Sequence, residues 1–284
     1  MNTKVDLHTH TTASDGTLTP AELVELALEY DLRLLAITDH DSTEGVADAI
    51  KRADGTSIEV WPGVEISTDV PQAEVHMLGY FVDVGNPEFQ EILSRCRDSR
   101  VWRAQQMVAK LGALGMSLTF ERVRQIAGTG SIGRPHVAQA LVEKGYVSSI
   151  KEAFDRYLNR NGPAYVERFK LSPVEAVQLI RKAGGMPVLA HPTYINPGEG
   201  SGFDLSSFVH ELTQAGLVGI ECHYGDYTPE TIRQLLKIAR EFDLIPTGGS
   251  DFHGRGIHSA DLGAPIVPEE SIERMRAWCA AQRM

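Results

Sequence analysis

The sequence predicts an α/β fold in which seven strands form a closed or nearly closed barrel, interrupted by a helical insertion. Three observations predict it. Short apolar runs of strand length recur at 5–9, 34–38, 58–62, 75–82, 187–191, 218–222 and 245–248. Helical patterns separate most of them, and strand–helix–strand alternation implies a parallel sheet. Histidines and acids gather at the C-terminal ends of those runs, the face on which α/β barrels carry their chemistry.

The elements follow in order. Val5-Asp6-Leu7-His8-Thr9-His10 reads as a strand whose two imidazoles share a face, because strand side chains alternate. Thr19-Pro20-Ala21-Glu22 supplies an N-cap, a proline in the first turn and a capping-box glutamate, opening a helix to Tyr30. The second run ends in Thr38-Asp39-His40, the third leads to Glu65, and the fourth carries His76. From 87 to 166 the pattern is helical, with a long periodic stretch at 88–114 and shorter ones at 135–144 and 149–158. A helical stretch of that length between two barrel strands is expected to form a cap over the barrel mouth. The expected division is therefore 1–86 and 167–284 for the barrel and 87–166 for the cap. Ser172-Pro173-Val174-Glu175 repeats the helix-start signature, and His191 ends the fifth run. Thr228-Pro229-Glu230 is a looser helix start, and the last run leads into Ser250-Asp251-Phe252-His253.

Composition bounds the function. The chain has 284 residues, 42% apolar and 23% charged, ordinary for a globular protein. Cys96, Cys222 and Cys279 form no CxxC pair, against a disulfide framework or a thiolate zinc site. No apolar run approaches the roughly 18 residues of a membrane span. Met1-Asn2-Thr3-Lys4 leads straight into the first strand, so the expectation is a cytoplasmic enzyme with no membrane segment and no obligate protein partner. A net charge of −11 opposes indiscriminate adhesion to nucleic acid.

The ends of the runs assemble a metal-donor set. His8, His10, His40, His76, His191 and His253 offer nitrogen; Asp15, Glu65 and Asp251 offer oxygen. Mixed imidazole and carboxylate donors suit Mn²⁺, Fe²⁺, Zn²⁺ or Co²⁺ better than an all-oxygen Mg²⁺ or Ca²⁺ site. Nine donors exceed what one ion can use with water still bound, so two to three divalent ions are expected. Glu65, with two oxygens, is the natural bridge. Asp6 and Asp39 flank donors and read as partners that fix imidazole tautomers, with backbone capping an equal reading for Asp6. His210 and His258 stand alone and read as surface or satisfied core residues. A metal-dependent hydrolase is the functional class this set predicts.

The same motifs carry a resemblance. Asp6-Leu7-His8-Thr9-His10 with Asp15-Gly16, Thr38-Asp39-His40, Gly63-Val64-Glu65-Ile66, the isolated His76, Ala190-His191-Pro192 and Ser250-Asp251-Phe252-His253 resemble the PHP (polymerase and histidinol phosphatase) phosphoesterases. The resemblance runs from Val5 to about His258 and implies a distorted seven-stranded (β/α)7 barrel with a trinuclear metal centre, for which Mn²⁺ is the leading choice of ion. It implies His8, His10, Glu65 and Asp251 on the first ion, Glu65, His76 and His191 on the second, and Asp15, His40 and His253 on the third. Many relatives have histidine where this chain has Asp15; the change keeps a donor and adds negative charge. Ordinary amidohydrolases also begin HxH but use a bridging lysine and lack the later motifs.

Within the insertion, Ser131-Ile132-Gly133-Arg134-Pro135-His136-Val137-Ala138, Ala153-Phe154-Asp155-Arg156-Tyr157-Leu158 and Pro163-Ala164-Tyr165-Val166 resemble the stand-alone bacterial members typified by RNase AM. That group implies removal of the 3′-phosphate from nucleoside 3′,5′-bisphosphates and 5′→3′ trimming of short 5′-phosphorylated RNA. Small nucleotides and short RNA are thus the expected partners. The runner-up is a phosphatase for another small phosphomonoester such as histidinol phosphate. Candidates to assist the leaving oxygen are His223, His136 and Asp251. Arg134, His136, and Arg100 or Arg103 on an every-third-residue stripe with Arg97 are candidate phosphate contacts. Tyr165 and Tyr224 are candidates for stacking on a base.

Overall fold

The structure is a computed structural model and describes residues 4–70, 73–128, 130–195, 203–256 and 260–282; His258 lies outside them. Seven strands neighbour one another in chain order: β1 (Val5–Asp6), β2 (Leu34–Ile37), β3 (Glu59–Val70), β4 (Ala73–Tyr80), β5 (Met186–Leu189), β6 (Gly219–Tyr224) and β7 (Ile245–Gly249). Just past β1 and β7, Thr9 and Phe252 form a parallel bridge, so the sheet nearly closes into a barrel. At that seam the His10 N–H donates to the Phe252 carbonyl at 2.9 Å. Gly249 permits the approach, since a Cβ there would lie 2.4 Å from His8 Cβ and 2.5 Å from the His8 nitrogen.

One expectation fails. The sheet is not wholly parallel: β4 runs antiparallel to both β3 and β5. Val70 pairs with Ala73, and the two residues between them are too few for the crossover that parallel pairing needs. His76, near the start of β4, thereby comes to the same barrel end as the C-terminal ends of the parallel strands. The first strand is also shorter than expected, because a bend at Leu7 follows Asp6.

The helices of the barrel unit are α1 (Pro20–Glu29), α2 (Val46–Ala53), the start of α3 (Pro87–Ala113), α7 (Pro173–Lys182), α8 (Leu205–Ala215), α9 (Pro229–Glu241) and α10 (Glu269–Gln282). The two expected capping boxes form: Thr19 accepts from the Glu22 N–H and Ser172 from the Glu175 N–H, with each glutamate bonded back to its cap. Their net worth is typically about 1 kcal/mol per cap. Every residue of β2 is buried because both faces are covered. Leu34 and Ala36 join a cluster with Leu78 and Tyr80, while Leu35 and Ile37 pack with Leu23, Val24 and Ala49 of α1 and α2. Tyr80 is fully buried, and its hydroxyl donates to the Leu7 carbonyl at 2.9 Å, tying β4 to the turn after β1.

A second compact unit spans Ser94–Phe169. It holds the rest of α3, then α4 (Phe120–Ala127), α5 (Arg134–Glu143), α6 (Ile150–Ala153) and a π-turn at Phe154–Leu158. Met107, Leu111, Val123, Val137, Leu141 and Leu158 form its own core. The unit begins inside α3 because Phe89 and Leu93 belong to the barrel's core with Val177 and Ile180. The short α4, capped by Thr119, was not legible in the sequence. No helix among the described residues is long and apolar enough to cross a membrane.

Candidate metal centre

The barrel unit brings the nine donors named from the sequence into one cluster, eight of them linked directly or through one another to the fully buried Glu65 carboxylate. Glu65 Oε1 lies 2.9 Å from His76 Nδ1 and 3.0 Å from His191 Nε2. Its Oε2 lies 3.0 Å from His40 Nδ1 and 3.3 Å from both His8 Nε2 and His10 Nε2. Asp251 Oδ1 is 3.0 Å from His10 Nε2 and 3.3 Å from His8 Nε2. Asp15 stands 3.2 Å from His253 Nε2 and 3.8 Å from His40 Nε2. Three overlapping groups offer donor atoms within 4.8 Å of one another: His8, His10, Glu65 and Asp251; His40, Glu65 and His76; and His10, Asp15, His40 and His253.

These donors fit divalent ions on their own chemistry. His8 Nε2, His10 Nε2, His40 Nδ1, Glu65 Oε2, Asp15 Oδ1 and Asp251 Oδ1 are buried and make no properly directed hydrogen bond. Buried polar atoms normally find partners, so six orphans around one point mark a place for a shared cation. The charges agree. Burial alone would depress the His10 imidazole, but Asp251 and Glu65 outweigh it and raise it to about 10. The His8 imidazole is likewise raised against its burial by Asp251, Glu65 and Glu221. Burial works against ionisation of Glu65, yet His40, His76 and His8 hold it well below the usual carboxylate range. Asp251 is held low against burial by His8 and His10, and Asp15 by His40 and His253. Without a metal, protons on the imidazoles balance the carboxylates; a divalent ion is the natural replacement.

The surroundings aim these atoms. His191 (φ 24°) and Asp251 (φ 55°) adopt backbone conformations that non-glycine residues avoid, strain that clusters at functional sites. Glu221 is the residue the sequence reading missed. Fully buried on β6, its Oε1 accepts from His8 Nδ1 at 3.1 Å and its Oε2 from the His191 N–H at 2.7 Å. With the Nδ1 proton held by Glu221, Nε2 is the nitrogen that gives up its proton and turns its lone pair toward the cluster when a metal binds. An acid inside the otherwise apolar Gly219-Ile220-Glu221-Cys222 was the available signal. Tyr224 donates its hydroxyl to Asp251 Oδ2 at 2.8 Å, leaving Oδ1 for His8 and His10.

Asp39 and Asp6 divide the roles expected of them. Asp39 Oδ1 accepts from the Thr11 N–H at 2.7 Å and from Ser14 Oγ at 2.6 Å, and Ser14 Oγ lies 3.4 Å from His10 Nδ1. Among the described residues Asp6 touches no imidazole; it accepts from the backbone N–H groups of His8, Ser250 and Gly263 and so caps the barrel seam. Burial raises its carboxyl to about 6 despite those bonds.

Other candidates lie elsewhere. His223 does not join the cluster. A β-bulge between Glu221 and His223 breaks strict alternation, so Glu221 and Tyr224 face the donors while Cys222 joins the outer core. His223 instead lines a cavity of about 380 Å³ with Leu236, Leu244, Pro268 and Arg274. Tyr224 is 6% exposed and committed to Asp251, which removes it as a stacking surface. The remaining candidates belong to the second unit. His136 Nδ1 accepts from the Gly133 N–H at 3.0 Å, the Arg134 guanidinium lies 5.6 Å from the Phe154 ring centroid, and the Tyr165 hydroxyl donates to Glu167 at 3.1 Å. Arg103 is 5% exposed and Arg100 half-buried, so the α3 stripe is not a freely solvated face. His210 packs its ring 5.7 Å from Phe242.

Comparison with known proteins agrees with this site. The PHP domain model matches residues 6–167. The chain is 35% identical over 260 residues to a 3′,5′-nucleoside bisphosphate phosphatase of Chromobacterium violaceum, covering 91% of this chain and 90% of that protein. It is 37% identical over 251 residues to the 5′-3′ exoribonuclease Rnm of Escherichia coli K12, covering 87% and 84%. A crystal structure from Bifidobacterium adolescentis, assigned as a metal-dependent phosphoesterase, superposes with a TM-score of 0.83 at 30% identity, covering 97% and 96%. The motif series, the barrel and these relatives agree: the chain belongs to the PHP domain family and is a metal-dependent phosphoesterase.

Proposed function

We propose that this enzyme removes the 3′-phosphate from nucleoside 3′,5′-bisphosphates, giving a nucleoside 5′-monophosphate and phosphate, and that it trims short 5′-phosphorylated RNA from the 5′ end. The observation that carries the proposal is the set of three overlapping donor groups, two of them sharing Glu65, in a chain whose relatives carry those two activities by name. We assign His8, His10, Glu65 and Asp251 to a first divalent ion, Glu65, His76 and His191 to a second, and Asp15, His40 and His253 to a third. Mn²⁺ is the leading choice, with Fe²⁺, Zn²⁺ and Co²⁺ compatible with the same donors. When bound, such ions acidify a water nucleophile and neutralise the phosphoryl oxygens.

The chain's own groups do the rest. Glu221 and Tyr224 hold His8, the His191 backbone and Asp251 in place. Asp251, held well below the usual carboxylate range against its burial, suits a ligand rather than a proton donor. Of the candidates to protonate the leaving 3′-oxygen, His136 remains: its Nδ1 accepts from Gly133, so Nε2 carries the proton of the neutral ring. Arg134, with Arg100 and Arg103, is the proposed contact for the 5′-phosphate, which a planar guanidinium fork matches bidentately. We propose the inserted helical segment, 87–166, as the specificity element.

The test is phosphate release, with Mn²⁺, from adenosine 3′,5′-bisphosphate against adenosine 3′- and 5′-monophosphates and a histidinol phosphate control. Equal turnover of the bisphosphate and the simple 3′-phosphate sinks the second-phosphate assignment. A matched pair of short RNAs, with and without a 5′-phosphate, tests trimming; equal degradation or internal cutting removes it.

A further inference from the structure

We propose that Tyr194 is the platform on which the substrate's nucleobase rests, an inference that depends on the nucleoside bisphosphate reading above. Tyr194 closes a short 3₁₀ turn, Pro192–Tyr194, that begins directly after His191. It is 55% exposed, and of the large exposed apolar side chains among the described residues it is the one in ring contact with a member of the donor cluster. An exposed aromatic ring beside a catalytic cluster leaves apolar area in water that a ligand's flat face would cover.

Three contacts hold the ring. Its centroid lies 5.7 Å from His191 at an interplanar angle of 75°, and 5.5 Å from Tyr224 at 71°. Its hydroxyl lies 3.4 Å from Asp226 Oδ1. Tyr224 is in turn anchored on Asp251 and packs 5.0 Å from Tyr227, whose hydroxyl accepts from the Thr193 N–H at 3.3 Å. Tyr224, buried, and Tyr227, partly buried, are thus scaffolding, and Tyr194 is their exposed tip. A ring already fixed has little rotamer freedom to lose when a base settles on it.

Position and chemistry agree. A 3′-phosphate held among the Glu65-centred donors leaves the ribose pointing out of the cluster, with the base two ring carbons from the esterified one. Tyr194, one ring beyond His191, is where a flat group so attached would meet an aromatic surface. Stacking needs only a π face, which every base has, so the platform predicts dependence on having a base and weak preference among bases.

The experiment compares wild type, Tyr194→Ala, Tyr194→Phe and Tyr194→Trp on adenosine 3′,5′-bisphosphate and on the methyl riboside 3,5-bisphosphate, which lacks a base. Wild type is expected to prefer the nucleoside by about 10- to 100-fold in kcat/KM, the range for one stacked base. Tyr194→Ala collapses that preference toward unity, chiefly through KM, while the Phe and Trp variants keep most of it. A wild type indifferent to the base, or an Ala variant that keeps the preference, overturns the proposal. Equal losses on both substrates also overturn it, because Tyr194 would then act only through His191. Calorimetric binding of adenosine 5′-monophosphate to wild type and Tyr194→Ala separates this inference from the function it rests on. If the bisphosphate is no substrate, the function falls; if the nucleotide's Kd is then the same in both proteins, the platform falls as well.

Discussion

Replacing Glu65 by glutamine keeps the side chain's shape and removes the charge that two of the three donor groups share. Its Oε1 lies 2.9 and 3.0 Å from His76 and His191, and its Oε2 3.0 Å from His40 and 3.3 Å from His8 and His10. One unit charge at about 4 Å from another is worth roughly 4 kcal/mol at the effective dielectric of 20 that suits protein sites. Against divalent ions the loss is at least that large, which lowers affinity about 10³-fold or more. The group of His10, Asp15, His40 and His253 does not use Glu65 and should keep its ion. The expected result is therefore two to three Mn²⁺ per chain in wild type and about one in Glu65→Gln, read by elemental analysis after gel filtration. Calorimetric titration gives the affinities, far-UV circular dichroism confirms that the barrel remains folded, and phosphate release is abolished. A folded variant that keeps wild-type stoichiometry and affinity would refute the shared-carboxylate reasoning.

Four further outcomes are expected. Glu221→Gln, which weakens the hold on His8 Nδ1 and the His191 N–H, lowers Mn²⁺ affinity about 10- to 100-fold with the fold intact; unchanged affinity removes its positioning role. Gly249→Ala forces a Cβ to within 2.4 Å of His8 Cβ, so the seam must open, at a cost of about 1–3 kcal/mol and a lower melting temperature; an unshifted melt contradicts the close approach. The His10 imidazole is raised to about 10, so its contribution to the metal-free fold is full below its unfolded value near 6.5 and lost as pH climbs through 10. Metal must displace that proton, so Mn²⁺ affinity and the Mn²⁺-induced rise in melting temperature should both grow from pH 6.5 to 9, and a flat profile counts against the protonated cluster. Arg134→Ala should cut kcat/KM for the bisphosphate by roughly 2–4 kcal/mol of transition-state binding, and far less for a nucleoside with only a 3′-phosphate; equal losses displace it from the 5′-phosphate.

The seven strands, their succession and the donor types are legible along the chain, because each is written in local pattern. Apolar runs of strand length mark β1 to β7, and Thr19 and Ser172 announce their helices through bonds made within four residues. The donors were legible because His8, His10, His40, Glu65, Asp251 and His253 sit just beyond or along those runs in motifs a reader can see. What local pattern does not encode is partnership across the barrel. That β4 runs backwards emerges only in the folded sheet, since no periodicity along the chain announces the antiparallel pairing of Val70 with Ala73. Only the bulge in β6 turned His223 away and kept Glu221 and Tyr224 facing the donors, because one inserted residue reverses the side-chain alternation that a sequence reading must assume. Glu221 itself lies 213 residues from the His8 it orients, and Tyr194 becomes a surface only because Tyr224 and His191 stand against it. Spacing along the chain says which side chains are present, and closure of the sheet says which of them meet.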